Sequence, residues 1–380
     1  MTPSTHRPAV ARGVSRLAFD AVEQLSHIVE GMHANIAAAP LPLGTGTDGR
    51  TRGITGFVYD SIRFVNAGAR AALDGALGRL AAGSGPALPQ PQADVLLAVL
   101  NGVLGDHLAA TENPLAIPMQ LRQDGEPRSR LVLLVHGLCM NDRQWQRNGH
   151  DHGAALEREL GVTPVYLLYN TGRHVSENGR ELAGLLEALL ESWPAPAPEL
   201  TILAHSMGGL VARSACHFGA EAGHAWPARL SQLVFLGTPH HGAPLERGGS
   251  WVDLLLGVSP YTAPLGRLGM LRSAGITDLR HGFVRDEDWQ GRDRFERTGD
   301  RRAPAPLPSK VECHALAGGS DLLVPVTSAL GRHRDPDKTL AFPESHCWVG
   351  EGMNHFDLLD RPEVYERVRA ILTQAGLRTI

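Results

Sequence analysis

Four cysteines in 380 residues are too few, and too scattered, for a disulfide framework. Cys139, Cys216, Cys313 and Cys347 show no C-x-x-C spacing, so they read as small buried hydrophobes. Excess positive charge is missing as well. Lys and Arg number 36 against 40 Asp and Glu, for a formal net charge of −4. Without a basic stripe, nucleic acid is excluded as an expected partner. No unbroken run of 18 apolar residues occurs, which predicts no transmembrane helix. The first residues, Met1-Thr2-Pro3-Ser4-Thr5-His6-Arg7-Pro8, lack an apolar core and a small-residue cleavage site. The sequence therefore predicts a cytoplasmic protein. What remains is an ordinary globular composition, 43% apolar, in a chain able to hold one large domain or two smaller ones.

The most informative stretch is Thr201-Ile202-Leu203-Ala204-His205-Ser206-Met207-Gly208-Gly209. Leu200 to Leu203 is a short apolar run of the kind a buried parallel strand shows. Leu210 to Cys216 reads as a helix. A serine thus sits at a sharp strand-to-helix turn with small residues two before it and two after it. Such a turn is strained and leaves no room for bulky flanking groups, and it pushes the serine hydroxyl out above the sheet. The following helix aims its first N–H groups at any anion that forms there.

Strands and helices alternate around this stretch. Leu131 to Val135 predicts a buried strand that runs into His136-Gly137-Leu138. Val162 to Tyr169 predicts another, followed by a polar loop, Asn170 to His174. A helix with an N-cap at Ser176 is expected through Glu191. Leu233 to Gly237 is a further strand, leading into Thr238-Pro239-His240-His241-Gly242. Val311 to Gly319 is a strand and turn, with Ser320-Asp321-Leu322-Leu323-Val324-Pro325 after it. His346 to Val349 is read as the last strand. It precedes a loop carrying Met353-Asn354-His355-Phe356-Asp357 and a final helix, Pro362 to Gln374. This alternation means a doubly wound, mostly parallel sheet with right-handed crossovers. Ile117 to Arg122 is read as an edge hairpin with the next strand.

The rest of the chain divides by composition. Residues 1–110 form a helical N-terminal extension. Within it, residues 12–22 and 52–62 match at a spacing of 40, each opening a helix, with Ser15 and Thr55 as N-caps. These helices could serve as a contact for a partner or for a membrane surface. Ala93 to His107 is apolar on most sides and reads as buried against its neighbours. Residues 111–380 form the sheet domain. Within them 245–308 is an insertion of apolar segments, a charged stretch and a proline-rich approach. Both a lid over the sheet and a packed crossover fit that pattern.

Ala204-His205-Ser206-Met207-Gly208-Gly209 resembles the nucleophile elbow of bacterial lipases and related esterases of the α/β-hydrolase superfamily. Alanine stands where the commoner form has glycine. Gly237-Thr238-Pro239-His240-x-Gly resembles the branch that includes bacterial lipases and inositol-deacylase-like proteins. The resemblance covers the chain from about residue 130 to its end. It implies an α/β-hydrolase fold in which Ser206, Asp321 and His355 act as nucleophile, acid and base, in the order usual for that fold. It also implies an oxyanion hole made by the backbone N–H groups of Leu138 and Met207, with His136, Gly137, His205 and Gly208 in supporting places. His355 is preferred to His346, which lies inside the expected strand. Asp357 follows His355 too closely to orient it. Two adjacent histidines, His240 and His241, cannot both face one ion from a regular strand, so no metal is expected. No cofactor is implied. The expected activity is hydrolysis of a small-molecule or lipid carboxylic ester through an acyl-enzyme. Acyl transfer or amide hydrolysis by the same residues, or a non-catalytic binding role, are the alternatives.

Overall fold

The computed structural model describes residues 12–20, 23, 90–194, 198–243, 273–293 and 299–376. Two compact units divide the chain: residues 1–87 with 110–116, and residues 88–109 with 117–380. The division by composition at residue 110 falls one helix later than this one, because the apolar helix before it belongs with the sheet.

In the first unit, residues 12–20 are helical. Ser15 does not cap that helix. It lies one turn inside, and its hydroxyl donates to the Arg12 carbonyl at 3.0 Å. The matching segment 52–62, and most of the two duplicated helices, lie outside the described residues, as does any contact they make with a partner or membrane.

The second unit is built on a seven-stranded sheet. Its strands are β1 (Gln120–Gln123), β2 (Arg130–Val135), β3 (Thr163–Leu168), β4 (Glu199–His205), β5 (Leu230–Leu236), β6 (Glu312–Gly318) and β7 (Cys347–Gly350). Their spatial order is β1-β3-β2-β4-β5-β6-β7. All neighbours run parallel except β1, which is antiparallel to β3. The edge position of β1 matches expectation, but its partner is not the next strand. β2 is already flanked by β3 and β4, so β1 pairs instead along the far side of β3. The half-exposed pattern of β1 suits that edge.

Alternation along β2 supplies both layers. Leu131, Leu133 and Val135 join Leu182, Leu186, Leu210 and Val211 on one side of the sheet. Val132 and Leu134 join Leu156, Val364 and Val368 on the other. The helices responsible are α1 (Gln90–Ala110), α2 (His152–Leu160), α3 (Val175–Glu191), α4 (Met207–Glu221), the short α5 (Ala274–Asp278) and α6 (Val326–Ala329), and α7 (Pro362–Gly376). α3 and α4 cover the first side; α2 and α7 cover the second. Full burial of each such Leu or Val contributes about 1.5–3 kcal/mol, so this sandwich carries most of the stability.

α1 is the long apolar helix expected from the sequence. Its window Ala93–Ala110, of mean hydropathy 1.4, is long and apolar enough to cross a membrane by length and composition. Here Val99 and Val103 are buried in the same cluster as β2 and β3. α3 starts one residue earlier than its expected cap. Ser176 is inside the helix, and its hydroxyl accepts the Trp289 indole N–H at 2.9 Å. The Val175 N–H is instead taken by the Asp278 carboxylate at 2.8 Å, a cap supplied from 103 residues away. Asp278 belongs to the second part of the 245–308 insertion. That part, residues 273–293, is packed: Ser273, Ile276, Asp278 and Asp288 are all buried. Residues 244–272 and 294–298, including the apolar segments read as a lid, lie outside the described residues.

Candidate active site

From β2 the chain moves to β3 on one side, then crosses back to β4 on the other. The carboxyl ends of β2 and β4 therefore flank a topological switch point, where open α/β sheets bind their ligands. His136-Gly137-Leu138 leaves β2 there, and Ser206 leaves β4 there.

Ser206 holds φ 55° and ψ −127°, a conformation that L-residues avoid and that costs on the order of 1–3 kcal/mol. Its N–H donates to the Leu236 carbonyl at 2.8 Å, and its own carbonyl accepts the Gly209 N–H at 3.0 Å. The turn is locked between β5 and the first turn of α4. The small residues have a clear cause. A Cβ on Gly208 would lie 2.5 Å from the Val135 carbonyl oxygen and 2.6 Å from that of His136. The helix thus meets the end of β2 backbone to backbone. A Cβ on Gly137 would lie 2.9 Å from the Ser206 Cβ, which measures how closely the loop after β2 passes the serine.

Asp321 follows β6 in a tight turn. Its Oδ1 accepts the N–H groups of Leu323 at 2.7 Å and Val324 at 2.9 Å. Its Oδ2 accepts from His355 Nδ1 at 2.6 Å. Both side chains are almost fully buried. With Nδ1–H donated to the carboxylate, Nε2 of His355 keeps its lone pair. The two loops are tied by the Ser320 N–H, which donates to the Met353 carbonyl at 2.9 Å. His205 is buried beside them, and its Nε2 donates to the His355 carbonyl at 3.2 Å. Burial, then the neighbouring His355, holds His205 well below its ordinary pKa. It stays neutral and adds no charge next to the second imidazole.

The loop after β2 is equally well fixed. His136 stacks on Tyr169 with ring centroids 4.5 Å apart, and the Tyr169 hydroxyl donates to the His136 carbonyl at 2.8 Å. His136 Nδ1 donates to the Gly137 carbonyl at 3.0 Å. Burial pushes this imidazole down to about 4, so it is a neutral strut. Cys139 stands in the left-handed region at φ 60°. Burial pushes its thiol up to about 12, which makes it inert as a nucleophile. Among the described residues, the N–H groups of Leu138 and Met207 are taken by no other protein group.

The competing residues lie elsewhere. His346 is not inside the last strand as expected. It closes the short 3-10 turn Glu344–His346 before β7, stacks on His314 with centroids 4.0 Å apart, and bonds the Cys313 carbonyl at 3.1 Å. That is the amino end of β6, whereas Ser206 lies beyond the carboxyl end of the parallel strand β4. Asp357 accepts the Asn354 N–H at 2.7 Å and shapes the loop that carries His355. His240 packs against Arg213, with 3.4 Å between nitrogens, while His241 bonds the Gly331 carbonyl at 2.9 Å. The adjacent pair has separate partners, and no group of His, Cys, Asp and Glu able to hold a metal occurs among the described residues. Thr171 and Tyr169, which brace the loop after β2, have no motif of their own in the sequence. The signal available was a polar run, Asn170-Thr171-Gly172, directly after a buried strand.

A serine on a strained turn, an imidazole oriented by a carboxylate and two backbone N–H groups without a partner among the described residues are the ingredients of acyl transfer. Residues 126–299 match the model of the PGAP1-like alpha/beta domain. That span includes Ser206 and the loop after β2 but ends before Asp321 and His355. No curated protein matched the sequence. Among solved structures, the mature lipase BlEst2 of Bacillus licheniformis aligns over 67% of this chain and 97% of its own, at 18% identity and a TM-score of 0.42. A structure from a study of carboxylesterases of the thaumarchaeon Nitrososphaera gargenis aligns over 69% and 97%, at 13% identity and a TM-score of 0.42. The type II thioesterase BorB from the borrelidin biosynthetic cluster aligns over 67% and 95%, at 20% identity and a TM-score of 0.37. The mostly parallel seven-stranded sheet and the family match identify an α/β-hydrolase fold.

Proposed function

We propose that this α/β-hydrolase-fold protein is a serine hydrolase of carboxylic esters, acting on small-molecule or lipid-like substrates. Ser206 is the nucleophile, His355 the general base and Asp321 the residue that orients it. His355 Nε2 takes the hydroxyl proton as Ser206 Oγ attacks the ester carbonyl. The N–H groups of Leu138 and Met207 hold the oxyanion. The tetrahedral intermediate collapses, the alcohol leaves with the proton returned by His355, and an acyl-enzyme remains. Water then repeats the cycle, releasing the acid and restoring Ser206.

The observation that supports this reading best is the 2.6 Å bond from His355 Nδ1 to Asp321 Oδ2, with the other carboxylate oxygen held by two backbone N–H groups. Such a carboxylate can neither rotate nor let the imidazole turn. The test is hydrolysis of p-nitrophenyl esters of graded acyl length, with labelling by a fluorophosphonate probe. The wild type is expected to hydrolyse at least one ester and to be labelled, and Ser206→Ala to do neither. Full activity in Ser206→Ala would end the proposal. Analysis of products with an added alcohol or amine separates hydrolysis from acyl transfer.

A further inference from the structure

The loop that carries the Leu138 N–H is not held by the sheet alone. After Leu138 the chain reaches Cys139, whose φ of 60° is costly for a residue with a side chain and persists only where its surroundings fix it. Two things do so. The Cys139 N–H donates to Thr171 Oγ1 at 3.1 Å, from the buried loop after β3. On the other side α1 presses against it: a Cβ on Gly102 would lie 2.2 Å from Cys139 Sγ and 3.0 Å from its Cα. α1 is in turn pinned to that same loop and to α5. The Asn170 side-chain amide donates to the Gly105 carbonyl at 2.8 Å, and the Ser273 hydroxyl donates to the Gly102 carbonyl at 2.6 Å.

We propose that Thr171 is a positioning residue for the reaction: together with Gly102 of α1 it fixes the peptide after Leu138 and so aims the Leu138 N–H at the oxyanion. This rests on the ester hydrolase reading above. Thr171 touches no reacting atom. Its hydroxyl acts through one hydrogen bond on the next residue of the loop. A donor aimed before the reaction begins stabilises charge that appears only in the transition state, so the effect belongs in kcat and not in KM. Valine at 171 keeps the branched shape and removes the acceptor. Serine keeps the acceptor and removes a methyl group.

The experiment compares the wild type, Thr171→Val and Thr171→Ser on the best p-nitrophenyl ester, with Ki for an alkyl trifluoromethyl ketone, a transition-state mimic with an oxyanion. For Thr171→Val, kcat is expected about 10- to 100-fold lower, part of what losing a whole oxyanion donor costs. Its KM should be unchanged and its Ki raised in parallel. Thr171→Ser should recover most of kcat. Wild-type kcat and Ki in Thr171→Val would overturn the inference, as would an equal loss in both variants. If Thr171→Val does not fold, Gly102→Ala replaces it, because the added methyl pushes the same loop from the α1 side. The same split between kcat and KM supports the inference, and unchanged kcat overturns it. A wild type that hydrolyses no ester and takes up no probe would instead remove the ester hydrolase reading itself.

Discussion

The Nδ1 of His355 and the Oδ2 of Asp321 stand 2.6 Å apart, while the second oxygen of that carboxylate accepts two backbone N–H groups. This arrangement has a direction. In Asp321→Asn, the two N–H groups of Leu323 and Val324 hold the amide oxygen and leave the NH2 facing His355. Nδ1 must then be the acceptor, the proton moves to Nε2, and the imidazole cannot act as a base. We expect kcat to fall by about 10³- to 10⁴-fold with little loss of stability. The check is steady-state kinetics beside a thermal melt. A loss of less than about tenfold would show that the pair does not orient the base.

His346 and His355 make a second comparison. His346 lies at the amino end of β6, stacked on His314. His346→Ala should keep wild-type kcat/KM, whereas His355→Ala should lose about 10³-fold or more. Equal loss in the two would overturn the assignment of the base.

Ser206 stores strain at φ 55° and ψ −127°. Glycine relaxes there, so Ser206→Gly should be inactive and yet more stable by about 1 kcal/mol, a rise of a few degrees in Tm. A melt of Ser206→Gly at or below the wild-type Tm would contradict this.

Acid stability follows from buried imidazoles. Burial pushes His136 and His152 down to about 4, and His205 and His240 well below their ordinary value. Below pH about 6.5 the unfolded chain binds protons that these four groups refuse when folded. Stability is therefore unaffected by them above that pH and declines as pH falls from about 6.5 to about 4. His136 and His152 can each contribute about 3 kcal/mol to the loss at the acid end. His174 works in the opposite sense. Burial lowers its pKa, but the hydrogen bond and the charge of Asp278, joined by the charges of Glu177 and Asp106, together outweigh that and raise it. Its contribution is present in acid and is lost as pH rises through its folded value. His150, His241 and His314 are lowered by burial too, so the lowered imidazoles outweigh His174, and Tm should fall by roughly 10 °C or more between pH 7 and pH 4.5. A flat melting profile across this window would show that the imidazoles are not sealed from solvent.

The core of this fold could be read from the sequence because its signals are local. An apolar run, a turn of small residues and a helix are contiguous around Ser206, and the loops carrying Asp321 and His355 each follow a strand. What could not be read depends on distant partners. The cap on α3 comes from Asp278 and not from Ser176, because a carboxylate 103 residues away outcompetes a local hydroxyl. β1 pairs with β3 because crossovers fill both sides of β2. The left-handed turn at Cys139 has no composition signature, since glycine would be the usual choice there and α1 supplies the constraint instead.

The docking of α1 has a consequence for how the molecule is made. Its anchors are far apart in the chain: Gly105 to Asn170 spans 65 residues and Gly102 to Ser273 spans 171. α1 precedes all seven strands of the sheet in the chain, yet it has no seat until β2, β3 and α5 have assembled. Closing such long loops is slow, so α1 should settle after the sheet has formed. In refolding, secondary structure should then return ahead of ester hydrolysis, because the last segment to find its place is the one that shapes the turn at Cys139.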